Sequence, residues 1–118
     1  MDMECSLGSF VPEIRTLIRD TIEPYHVDTR KIVGFVRDAF VHMWSVRPES
    51  RYLDFRLSDM TWPVGGDQSE IMMRFDDRWR LGLVYYAAAR CYENDITDSV
   101  NLQLADTLLK RADAEFAR

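Results

Sequence analysis

The stretch LVYYAAARCYENDITDS, residues 83–99, places a cysteine, a tyrosine and three acids within eight positions: Cys91, Tyr92, Glu93, Asp95 and Asp98. Two chemistries are conceivable there, a thiolate nucleophile and a hard-cation site. A reactive cysteine needs a cationic neighbour or a helix N-terminus to stabilise its thiolate, and this position has neither. The acids lack the alternating spacing, central glycine and terminal bidentate glutamate of a calcium loop. Helix packing followed by a polar turn explains the same residues without any reaction, because the alanines let two backbones approach and the acids cap and solvate the exit.

The two histidines, His26 and His42, have no HExxH or Cys/His spacing around them. Neither a zinc site nor a histidine-centred triad follows from them. His42 is expected to be a partly buried histidine with a satisfied hydrogen bond. Asp76 and Asp77 are adjacent on an expected helix and so point apart, which excludes a shared-proton dyad; pairing with Arg80 is expected instead. Gly65 and Gly66 lead into Asp-Gln-Ser, not Gly-Lys-Ser/Thr, so no phosphate loop is present. The residues assign no catalytic, metal-ligating or cofactor-binding position, and no cofactor is expected.

The expected scaffold is mainly α, a small bundle of about four helices in one domain over residues 1–118, with residues 1–10 flexible. Val11, Ile14, Leu17, Ile18 and Ile22 fall on one face of a first helix over 11–22, with Pro12 in its first turn. Asp28 caps a second over 28–46, where Ile32, Phe35, Val36, Ala39, Phe40, Met43 and Trp44 recur at three- and four-residue steps. Gly34 within it suggests close approach of another helix. Pro48 ends this helix, and an extended arm or loop spans 47–68, in which Leu53, Phe55 and Leu57 alternate with polar residues as in a short β segment.

Asp67 or Ser69 caps a third helix over 69–93, a rod of roughly 37 Å. Asn94 ends it, Thr97 or Asp98 caps a fourth over 98–117, and the short turn makes a long C-terminal antiparallel hairpin. Leu102, Ala105, Leu108 or Leu109, Ala112 and Phe116 are expected to pack on helix three. Tyr52, Phe55 and Trp62 stand apart, because they fall in the arm and its exit loop. They are the candidate subunit or partner interface, with folding back onto the chain's own core as the other reading.

Composition narrows the function classes. A net charge of -5 opposes unspecific attraction to nucleic-acid phosphates, which draws on Lys and Arg to displace counterions. Two cysteines make a poor disulfide framework, so a reducing compartment is expected. The start MDMECSLGSF lacks a basic, apolar leader, and no run of about 18 apolar residues spans a bilayer.

Two stretches together, FVHMWSVRPESRYL and LVYYAAARCYENDITDSVNLQLADTLLKRADAEF, resemble the head-to-tail connector (adaptor, or head-completion) proteins of tailed bacteriophages. The first is similar to that family's apolar helix ending in Arg-Pro-acid before an extended segment. The second is similar to its closing hairpin, with an apolar tyrosine/alanine run, an acidic turn and a last helix ending in an aromatic. The resemblance covers residues 28–118. The pattern of a turn followed by glutamine that some relatives show after the arm is missing.

What the resemblance implies is a structural virion protein without enzymatic activity. It would assemble with neighbouring copies of itself, commonly as a dodecameric ring, on the portal protein, lengthen the DNA channel and dock a tail or stopper protein. DNA would pass nearby without specific binding, and no membrane is involved. Its place would be the head-tail interface of the virion, and the host cytoplasm before assembly. The alternative from the residues alone is a small cytosolic helical interaction or regulatory module.

Overall fold

Local chemistry at the helix ends accounts for most of the architecture in this computed structural model, which describes residues 2–20, 26–53, 68–94 and 99–118. Helix α1 (Val11–Ile18) starts with proline in its first turn and Glu13 near its positive end. It stops four residues short of the expected Ile22. Arg19 turns left-handed (φ 59°, ψ 37°), its N–H donates to the Thr16 carbonyl, and the Asp20 N–H donates to the Arg15 carbonyl. That pair of bonds is the paired-carbonyl termination usually built on glycine; an arginine in this conformation costs about 1 kcal/mol or more.

Helix α2 (Thr29–Val46) is capped as expected: Asp28 is extended, and its carboxylate accepts from the Arg30 N–H at 3.1 Å. All of its expected stripe except Phe35 is buried, together with Val33, and Phe35 packs partly buried against the core. At its far end the Arg47 guanidinium donates to the carbonyls of Phe116 and Ala117 at 2.7 and 2.6 Å. A cation thereby satisfies the last carbonyls of α4 (Ser99–Phe116), where the helix dipole is negative.

Gly34 is not a point of close approach, contrary to expectation: a Cβ there would meet nothing within 4 Å. The close approach is at Gly82, where a Cβ would lie 2.6 Å from the Phe116 ring.

Residues 2–10 form a strand and a 3-10 turn where a flexible lead was expected. Strand β1 (Asp2–Ser6) pairs antiparallel with β2 (Met72–Asp76), in the register Met3 with Phe75, Glu4 with Arg74 and Cys5 with Met73. Met73 and Phe75 are buried and Met72 and Arg74 exposed, so Glu4 and Arg74 form an opposite-charge pair on the outer face. A 3-10 turn (Leu7–Phe10) follows β1 and buries Leu7 and Phe10. The short β segment between the second and third helices therefore exists, but at residues 72–76.

Leu53 ends a 3-10 helix (Pro48–Leu53) instead of starting a strand; residues 54–67 lie outside the described residues. Helix α3 (Arg80–Asn94) begins eleven residues later than expected, after a 3-10 turn (Asp77–Trp79), and is about 22 Å long.

Phe10, Phe40 and Phe75 bring the layers together, with ring centroids 5.6 to 5.9 Å apart and two of the three pairs edge-on. Such geometry is favourable for aromatic quadrupoles. Helices α3 and α4 run antiparallel, since Gly82 near the start of one meets Phe116 at the end of the other. Ala87, Ala88, Ala89, Ala105, Leu108, Ala112 and Phe116 are buried in the same core, whereas Leu102, expected there, is exposed. Among the described residues no helix is long and apolar enough to cross a membrane.

Candidate interaction surface

Cys91 is a free, buried cysteine in α3, and burial pushes its thiol up to about 12, far from a usable thiolate at neutral pH. Glu93 lies 3.6 Å from Arg90 one turn away; Asp95 and Asp98 lie outside the described residues.

His42 has a hydrogen-bond partner, as expected: its Nε2 is 3.1 Å from the Asp113 carboxylate of α4. Its ring stacks on Tyr86 at 4.8 Å. Burial raises the Tyr86 phenol above its ordinary value, partly offset by Arg90. These groups join α2, α3 and α4 through one aromatic contact. His26 is exposed and offers its backbone N–H to Asp20 at 2.9 Å.

Asp76 is not helical. It ends β2 and accepts from the Arg78 N–H, which, with the Arg78 charge, holds its carboxyl below the usual range despite partial burial. Arg80 does not pair with Asp76 or Asp77. It reaches back to Glu13 at 2.6 Å and lies over the Phe10 ring at 4.5 Å. Among the described residues no group of three or more His, Cys, Asp or Glu side chains could hold a metal ion. The backbone of Tyr52 belongs to the Pro48–Leu53 turn. Its side chain, like Phe55 and Trp62, lies outside the described residues.

The surface that stands out was not legible from spacing. A cavity of about 500 Å³ opens between the end of α1 and the outer flank of α4. Leu17 and Arg19 form one wall, Leu104, Thr107, Leu108 and Arg111 the other, and Tyr92 and Asn101 the end. A smaller one of about 210 Å³ continues from it past Arg19, Tyr92 and Asn101 to Asp20, Val27 and Cys91.

Val100 and Leu104 are 53% and 40% exposed, and with Thr107, Leu108 and Arg111 they follow a single helical row. Among the described residues, neither Arg19 nor Arg111 forms an ion pair. Arg15, Arg78, Arg80, Arg90 and Arg118 each have a carboxylate within 4 Å. The apolar signal was present in the α4 sequence, which carries more leucines than one buried face needs. Only the position of the α1 terminus shows which of them border a trough.

Comparison with protein-family models finds no match. Comparisons with curated proteins and with solved structures find none either.

Proposed function

We propose that this chain is an assembly protein without catalytic chemistry, and specifically a head-to-tail connector that forms a ring on a phage portal. The observation that carries the reading is the outer flank of α4. Helix α4, which packs its inner face on α3, leaves Leu104 40% exposed on the wall of an open trough, an arrangement suited to grasping a neighbouring protein surface. The resemblance in residues 28–118 supplies the specific role. An acidic chain also suits a channel through which DNA slides, because it offers phosphates little to hold.

In this role the α3–α4 hairpin is the rigid element, while Tyr52, Phe55 and Trp62 reach an adjoining copy or the portal. Virion placement and contacts with a tail or stopper protein belong to the same proposal.

The test is to co-express the chain with a tailed-phage portal protein and image the complexes by electron microscopy. Rings on the portal are expected. Replacing Tyr52, Phe55 and Trp62 together by alanine should abolish them while leaving helical content and melting temperature near wild type. A small complex of fixed stoichiometry with another partner, and no rings, would overturn the connector role in favour of a regulatory module. Loss of the fold in the triple variant would show that those aromatics cover their own core.

A further inference from the structure

We infer that the trough between α1 and α4 is a docking site for an acidic, leucine-bearing helical segment of a partner protein. The inference rests on the reading of this chain as an interaction protein, and it adds the chemistry of what is grasped.

Three observations combine. Shape comes first: Leu104, Thr107, Leu108 and Arg111 sit at steps of three, one and three residues, which keeps them in one row about 10 Å long on a straight helix. Leu17 of α1 faces that row across a cavity of about 500 Å³, wide enough for several side chains from an amphipathic helix.

Charge comes second. The chain carries 20 Asp and Glu against 15 Lys and Arg, yet among the described residues the larger cavity is lined by two arginines and no carboxylate. Neither arginine forms an ion pair among the described residues. Lys110, by contrast, is held by Asp106 at 3.0 Å on a different side of α4. Two arginines with no ion-pair partner among the described residues select for acidic partners and steer their approach.

The backbone comes third. Arg19 occupies the left-handed region that glycine would occupy at lower cost (φ 59°). Its side chain borders both cavities, so the strained position is one from which a guanidinium reaches the trough. An apolar floor of leucines with Tyr92 at one end favours an amphipathic peptide over a nucleic acid, whose phosphates would also meet the negative field of the whole chain.

The probe is a fluorescein-labelled synthetic helix of 16 residues, with two leucines four apart and glutamates on either side, titrated with the full chain by fluorescence anisotropy. Saturable binding is expected, weakening at least about tenfold when Arg19→Gly and Arg111→Glu are combined, and weakening with added salt. Arg19→Gly removes the charge while placing the preferred residue in a left-handed position, so the fold is kept. Leu104→Asp should also abolish binding, whereas Leu102→Asp, on another side of α4, should leave it unchanged.

Four results would overturn the inference: no binding, equal binding of a peptide with lysines in place of the glutamates, displacement by a single-stranded DNA oligonucleotide, or self-association of the chain lost in the arginine variant. The last would make a second copy the occupant. Portal rings without peptide binding would sink this inference alone; peptide binding without rings would sink only the connector role.

Discussion

Two helical glycines, alike in sequence, carry opposite expectations because of what surrounds them. Gly34 in α2 has open space where a Cβ would go. Alanine there should stabilise the protein by roughly 0.5–1 kcal/mol, through helix preference and a less disordered unfolded chain. Gly82 in α3 faces the fully buried Phe116 ring, with Cε1 2.6 Å and Cδ1 2.9 Å from an added Cβ. An overpacked core costs about 1–3 kcal/mol, more than helix preference returns, so Gly82→Ala should lower the urea midpoint. Adding Phe116→Leu to Gly82→Ala should cost less than the sum of the two single changes, since the smaller side chain makes room for the methyl. Additive costs would place the origin of the Gly82→Ala effect elsewhere. The same contact explains why the last helix ends on an aromatic: Phe116 is the lid over a deliberate gap in α3.

At the scale of elements, the join between α1 and α2 depends on one buried ion pair. Arg15 and Asp20 meet at 3.0 Å; Arg15 also donates to the Thr29 hydroxyl at 2.8 Å, and Asp20 accepts from the N–H groups of His26 and Val27 at 2.9 Å. Burial alone would raise the Asp20 carboxyl, but those two N–H groups and Arg15 outweigh it and hold the value below the ordinary 3.8. A lowered folded-state value means that the contribution is complete above about 3.8 and is lost as pH falls through the lower folded value. Asp20→Asn removes the carboxylate that meets the buried Arg15 guanidinium and should cost about 3–5 kcal/mol at pH 7. Its stability should also fall less than wild type between pH 5 and pH 2, measured by urea titration at each pH. Arg15→Met with Asp20→Asn should cost less than the sum of the singles; strict additivity would deny the coupling. This network and the long helices differ in how far sequence betrays them. The stripes of α2 and α4 and the Asp28 cap are local patterns and were readable. Met72, Met73, Phe75 and Trp79 fit both a helix and a strand period, and the tie is broken by β1, about seventy residues away along the chain. The trough was hidden for the same reason, since its walls come from α1 and α4.

Across the whole molecule, distant parts of the chain are tied to one another. β1 pairs with β2, Glu13 holds Arg80, and Arg47 holds the carbonyls at the end of α4. Trp44 on α2 and Trp79 before α3 share one buried cluster with residues of every helix. No half of the chain keeps its apolar face covered alone, so unfolding should be a single cooperative event. Tryptophan fluorescence and far-UV circular dichroism should therefore trace superimposable urea transitions, with one midpoint and matching slopes. Phe116→Ala, which removes a buried ring worth about 3–5 kcal/mol, should shift both probes by the same amount. Helical signal lost ahead of fluorescence would mean that the α3–α4 hairpin separates from a surviving remainder. The difference bears on assembly: α4 can present Leu104, Thr107 and Arg111 at fixed spacing only while the rest of the core holds it, so a detachable hairpin would deprive the proposed docking face of the rigidity on which its selectivity depends.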